Sequence, residues 1–300
     1  MERWSATLHG AGFWALFYLC GPLIGALIGW ALLRHRLQRP KQQPPSRLIN
    51  VNSIHPIAVV IPALNEAIAL PKTVSHLFST CALPSILGCA EPEVIVVDAG
   101  SSDDSESSLA SLVSSHPTLR FLTHPFPSRG TQQNIGAKHT TTPILLFLHA
   151  DTLTPNAWDA TILSTLSSDT PPDLGSFSLS LPHPTSYSLR LMLLGANVRA
   201  RYIGLPYGDQ AYFLRRTTFD AVGGFPDVPI MEDVELLRRI RRTGGHVAVL
   251  DDQVITSPRR WIKNGVIWNT ILNQILVGAW LMGVKPNTIY TWYYGKPPIN

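Results

Sequence analysis

The sequence predicts an α/β fold: a mostly parallel, doubly wound sheet with flanking helices, preceded by one N-terminal transmembrane helix. Three observations predict it. Short, wholly apolar runs of β-branched residues recur through residues 57–148. Stretches with helical patterning separate them. Ahead of them lies a long segment without a single charge, from Gly10 to Leu33.

Taken in chain order, the charge-free segment comes first. It contains Phe13, Trp14, Leu16, Phe17, Leu23, Ile24, Leu27, Ile28 and Trp30, and about 20 apolar residues suffice to cross the hydrocarbon core as a helix. A cleaved leader has an apolar region of roughly 7–15 residues and a small-residue cleavage site; this segment is longer and ends in Arg34-His35-Arg36. A membrane helix over 11–33 is therefore expected. Arg34, Arg36, Arg39, Lys41 and Arg47 come after it, against Arg3 before it. The excess of cations on the C-terminal side places residues 34 onward in the cytoplasm, a single-pass arrangement. Residues 34–56, rich in Pro and Gln, read as a linker.

Ile57–Ile61 is then a buried strand stopped by Pro62, with a helix after it over 69–80. Glu93–Asp98 is a second strand, and Gly100-Ser101-Ser102-Asp103 opens a helix with capping residues. Leu119–Thr123 is a third strand, 132–139 a helix, and Ile144–Leu148 a fourth strand running into His149-Ala150-Asp151. In doubly wound sheets ligands gather at the carboxyl ends of strands, where Asp98 and Asp151 fall. The second half is less regular: strands over 174–181 and 211–215, helices over 186–202 and 234–242. Residues 264–284 carry no charge but are broken by Asn264, Asn269, Thr270, Asn273 and Gln274. That pattern suits a helix lying in a membrane interface better than a second span.

Composition removes several function classes. Charged residues make up 15% of the chain, against about 25% for an average soluble protein. The 24 basic and 20 acidic residues leave a net charge of +4, too mild for a nucleic-acid binder. Cys20, Cys81 and Cys89 have no metal-ligand spacing and read as free thiols. There is no GxxxxGK[ST] loop and no GxGxxG after the first strand.

The chain carries a different series of strings: VVIPALNE, VIVVDAGSSD, RGTQQNIGAK, ILLFLHADT, GDQAYFLRR, VGGFPD, IMEDVELLRRIRRTG and SPRRW. In this order they resemble the family-2 glycosyltransferases of GT-A fold, and most closely a subgroup of small membrane-associated enzymes carrying LHADT and GDQ. The resemblance covers 57–262 and leaves 263–300 as a membrane-interfacial segment. It implies a nucleotide-sugar donor, a UDP-sugar first among them, a divalent cation (Mg2+ or Mn2+), and inverting transfer of one sugar. Two departures stand out. Ser257 occupies the position of the Gln in the QxxRW string of processive members, which argues for single transfer. His149 replaces the first acid of the family's DxD.

The resemblance also implies roles for individual residues. Asp151 is the expected metal ligand, because a diphosphate's charge is most simply offset by a cation on oxygen ligands. Asp233, supported by Glu232, is the expected base that takes the acceptor hydroxyl's proton. Asn65, Glu66, Asp98, Arg129, His149, Asp209, Gln210, Arg260 and Trp261 are expected around the nucleotide sugar. The acceptor is expected to be lipid-linked or otherwise presented at the bilayer, with no nucleic-acid partner. A catalytically inactive nucleotide-sugar-binding membrane protein and a nucleotidyltransferase remain as alternatives.

Overall fold

The structure is a computed structural model that describes residues 54–298, except 126, 184 and 185. The expected membrane helix (11–33) and most of the linker lie outside the described residues. Among those described, no helix is long and apolar enough to cross a membrane.

Among the described residues, eight strands form one sheet in the order β3-β2-β1-β4-β7-β6-β8-β5. They are β1 (Ile57–Ala63), β2 (Glu93–Asp98), β3 (Leu119–Thr123), β4 (Ile144–Phe147), β5 (Thr152–Leu153), β6 (Leu174–Ser180), β7 (Tyr212–Arg215) and β8 (Val247–Thr256). The first half is parallel as expected: β1 pairs in parallel with β2 and β4, and β2 with β3. The second half corrects the expectation of a mostly parallel sheet. β7 runs antiparallel to β4 and β6 antiparallel to β7, so the sheet is mixed. β6 and β8 pair in parallel, and β5 closes the edge antiparallel to β8.

β1 continues through Pro62 rather than stopping there. Val60 accepts from Leu148 on the β4 side, and Ala63 accepts from Ala99 on the β2 side. By the two-residue alternation Pro62 turns its missing N–H toward β4, beyond the last β1–β4 pair, Val60 with Phe147. No ladder hydrogen bond is lost.

Alternate residues of β1 feed opposite faces of the sheet. Ile57, Val59 and Ile61 pack with Leu70, Val74 and Leu77 of α1 (Leu70–Ser79) and with Trp158 and Ile162 of α5 (Trp158–Leu166). Ala58 and Val60 pack on the other face with Ala137 of α4 (Arg129–Lys138) and Leu236, Leu237 and Ile240 of α8 (Glu232–Arg242). Between α1 and α4 lie the short α2 (Leu83–Leu87) and α3 (Ala110–Ser115). Helix α4 seats against β1 at Gly136: a Cβ there would come within 2.3 Å of Val60 Cγ1.

The remaining helices are α6 (Tyr187–Val198), α7 (Arg216–Ala221), α9 (Arg259–Asn264), α10 (Val266–Leu281) and α11 (Pro286–Tyr294). Helix α10 is two-faced. Leu276, Val277 and Ala279 are buried in a cluster with Met231 and Val234 at the start of α8, while Ile267, Trp268, Ile275, Leu281 and, just past the helix end, Met282 are exposed. Helix α6 buries Leu189 and Met192 against Trp261 and Val266. It exposes Tyr187, Leu191, Leu194 and Val198, a spacing that puts all four on one stripe.

Candidate active site

At the carboxyl ends of β1 and β2, two loops are zipped together by side chains. Asn65 adopts φ +55°. Its N–H donates to Ser101 Oγ at 2.7 Å, and its Oδ1 accepts from Ser102 N at 2.9 Å. Glu66 N donates to Ser105 Oγ at 3.0 Å. Asp98, buried, accepts the N–H groups of Gly100 and Ser101 at 2.9 and 2.8 Å, and the Ser101 hydroxyl. Asp98, expected around the nucleotide sugar, thus holds the turn after β2. From α4, the buried Gln132 amide donates to Ala63 O at 2.9 Å and Val97 O at 2.7 Å, tying the two strand ends together.

β4 delivers His149-Ala150-Asp151 beside them. Thr73 on α1 donates to Ala150 O at 2.8 Å and steadies the turn. Asp151 and Glu66 meet on one guanidinium. Arg259 Nη2 lies 2.7 and 2.8 Å from the two oxygens of Glu66 and 2.9 Å from Asp151 Oδ2. Burial holds the Glu66 carboxyl above its ordinary value, against the pull of Arg259. His149 is held neutral, its pKa driven down to about 3 by burial and by nearby Arg129.

The third component comes from the second half of the chain. Gly208 donates its N–H to Asp233 Oδ2 at 2.7 Å. A Cβ placed on Gly208 would sit 3.4 Å from both Asp233 Oδ2 and His149 Nε2. The HAD, GDQ and ED strings, spread over 85 positions of sequence, therefore meet at Gly208. Several contacts shape this loop. Tyr212 donates its hydroxyl to Pro206 O at 2.7 Å, Arg199 stacks 3.4 Å from the Tyr207 ring centroid, and Arg199 Nε donates to Leu205 O at 2.9 Å.

Asp209 follows Gly208 in this loop, and its buried Oδ1 has no hydrogen-bond partner among the described residues. Its pKa rises to about 6, pushed by burial and by Asp233 and Asp151 against Arg199. Two non-glycine residues at positive φ flank the motifs, Ala211 at +54° and Met231 at +69°. Backbone held this way in functional loops costs on the order of 1–3 kcal/mol each. At the start of α8, Glu232 lies 3.5 Å from Arg129 Nη1, and burial raises its pKa against that pairing.

Not every expected site residue lines the opening. Gln210 is fully buried; it donates to Phe177 O at 3.0 Å and accepts from Tyr207 N at 3.2 Å, so it holds the loop from behind. Trp261 packs under α6. Arg260 donates to the Tyr293 hydroxyl at 2.7 Å on α11. Sequence reading missed Arg259, although it stands in the same SPRRW string as Arg260. Gln132 and Arg199 were also missed, and their roles have no local signature.

Among the described residues one trio, His55, Cys81 and Asp159, could hold a metal ion. It lies by the amino end of β1, opposite the edge where Glu66 and Asp151 meet. Asp159 Oδ2 accepts the N–H of Leu83 at 2.7 Å and the Cys81 thiol at 2.8 Å, and lies 3.3 Å from His55 Nε2. Ala82 N also donates to Asp159. Hydrogen bonds already account for this group.

Residues 58–190 match the family described as Glycosyl transferase family 2, so the chain carries a glycosyltransferase domain there. The match is shorter than the resemblance read from the strings and ends before Gly208 and the Glu232-Asp233 pair. No curated protein matches the chain. Among solved structures, the chain is similar to the mannosyltransferase PcManGT from Pyrobaculum calidifontis in complex with GDP-Man and Mn2+. That likeness has 20% identity, 78% of this chain and 66% of that one, and a TM-score of 0.52. It is also similar to S. aureus TarS, at 15% identity over 74% of this chain and 39% of that one, with a TM-score of 0.51. TarS 1-349 in complex with UDP-GlcNAc matches at 15% identity, 67% of this chain, 58% of that one and a TM-score of 0.50. The chain thus spans less than two thirds of these proteins, and at such identities the likeness is one of fold.

Proposed function

We propose that this protein is a membrane-associated enzyme that transfers a single sugar, with inversion, from a nucleotide-sugar donor to a lipid-linked or membrane-presented acceptor. The convergence of His149-Ala150-Asp151, Gly208-Asp209 and Glu232-Asp233 around one glycine carries this proposal. The LHADT and GDQ strings align it with the small membrane-associated subgroup. Donors of the GDP-Man and UDP-GlcNAc type in the similar structures support a nucleotide sugar, and a UDP-sugar is the donor we would try first.

Asp233 serves as base. Its two oxygens are aimed by the N–H groups of Gly208 and Val234, and it takes the proton of the acceptor hydroxyl as that oxygen attacks the anomeric carbon. Glu232, paired with Arg129, keeps a second negative charge beside it and orients the start of α8. Asp209 accepts from sugar hydroxyls through its unpartnered oxygen. Asn65 and Asp98 border the nucleoside side of the same edge. Asp151 presents oxygens suited to Mg2+ or Mn2+, and such an ion, when bound, would offset the charge of the departing nucleoside diphosphate.

Membrane association is supported by the charge-free segment Gly10–Leu33 and by the exposed apolar residues of α6 and α10. The two helices contact one another, and α10 packs on Met231 and Val234, which flank the Glu232-Asp233 pair; this supports an acceptor held at a lipid surface beside the site. The cations after residue 33 support a cytoplasmic domain.

Purified protein incubated with UDP-sugars and Mn2+ should release the nucleoside diphosphate. Release of pyrophosphate from a nucleoside triphosphate would identify a nucleotidyltransferase instead. Binding of nucleotide sugars without any release, even with lipid acceptors present, would identify an inactive binder.

A further inference from the structure

We infer that Glu66 supplies the second carboxylate of the cation site and that the Arg259 guanidinium is its built-in occupant, so that Arg259 and a divalent cation exclude one another. The inference rests on the glycosyltransferase reading only in taking a cation to bind at Asp151.

The HAD string leaves one carboxylate where the family's DxD has two. The fold brings another to the same place. β1 and β4 are adjacent parallel strands, so the residues just past their carboxyl ends, Glu66 and Asp151, are neighbours although 85 positions apart in sequence. A single nitrogen, Arg259 Nη2, touches three of their oxygens at 2.7, 2.8 and 2.9 Å. Three carboxylate oxygens around one positive centre resemble the environment of a hard divalent cation, which takes oxygens at roughly 2.0–2.6 Å. A slight contraction would convert one arrangement into the other.

Arg259 is well placed to leave. Its side chain is 57% exposed, against 19% for Glu66 and 23% for Asp151. It begins the short helix α9 directly after Pro258, and exposed ion pairs contribute little each. A dication at the same point interacts with the two carboxylates more strongly than a guanidinium does. With the cation bound, the guanidinium would be repelled into solvent, linking the cation site to α9.

The test is Mn2+ binding without nucleotide, followed by electron paramagnetic resonance on the full-length protein. Arg259→Gln should bind Mn2+ roughly tenfold more tightly than wild type, which is what losing two exposed ion pairs amounts to. Glu66→Gln in the Arg259→Gln background should weaken binding by at least tenfold. Unchanged or weaker binding by Arg259→Gln would overturn the exclusion, and undiminished binding by the double variant would remove Glu66 from the site. Matching thermal melts would show that the variants fold. The readout contains no donor, so the Mn2+ series can hold while nucleoside diphosphate release fails, and the reverse.

Discussion

Gly208 and Asp233 are joined by a 2.7 Å backbone-to-carboxylate hydrogen bond that couples the GDQ turn to the start of α8. The other Asp233 oxygen accepts Val234 N at 2.8 Å. Both oxygens therefore face main-chain donors. An asparagine at 233 must turn its NH2 toward one of them. Asp233→Asn should lower stability by about 1–3 kcal/mol and lower turnover at saturating donor by roughly 10²–10⁴-fold, with donor affinity kept. Loss of donor affinity with unchanged saturated turnover would make Asp233 a binding group rather than the base.

Asp209 should leave a mark on the pH dependence of stability. Its folded pKa, about 6, lies above the unfolded value of about 3.9. Its contribution is therefore fully present below about pH 4 and is lost as pH rises through 6. Asp209→Asn imitates the protonated carboxyl. The melting temperature of the variant minus that of wild type should rise between pH 4 and pH 7. A difference that stays flat over that interval would show that the carboxyl is not held protonated.

Asp159 should behave in the opposite sense. Burial pushes its pKa up, but hydrogen bonds from His55, Cys81 and the Ala82 and Leu83 amides outweigh it and hold the carboxyl well below the usual range. Its stabilisation is present above about pH 4 and is lost as pH falls from there. Asp159→Asn should cost about 3 kcal/mol at neutral pH, the penalty for stranding buried partners, and less in acid. A chelator should leave the wild-type melting temperature unchanged. A drop that zinc reverses would make this trio a metal site after all.

Removing residues 1–36 should leave a folded catalytic domain that still floats with vesicles containing anionic lipid at low salt, through the exposed faces of α6 and α10. Trp268→Glu with Ile275→Glu should abolish flotation without changing nucleoside diphosphate release from a soluble donor. A truncated chain that stays in the soluble fraction would remove the interfacial contact and, with it, most of the support for a lipid-linked acceptor.

Some of this was legible along the chain because its cause is local. Residues 93–98 and 119–123 are strands with the bounds predicted for them; in the first, Val94–Val97 are fully buried, and a strand buried on both faces must be apolar there. The acidic pair before 234–242 likewise marked a helix start, and the structure begins α8 at Glu232. The 10-residue β8 was not legible: its Asp251, Asp252 and Gln253 are exposed, and polar residues mid-strand erase the apolar run.

The residues themselves, Glu66, Asp151, Asp209, Asp233 and the SPRRW string, stood in the sequence as separate signals. Which of them touch was decided by tertiary structure alone. Glu66 and Arg259 pair across 193 positions, and Gln210, expected at the ligand, turned inward to hold its loop. Hydrophobic periodicity reports what one segment must bury, whereas an ion pair depends on strand order and on the antiparallel insertion of β7 beside β4, which no local pattern encodes.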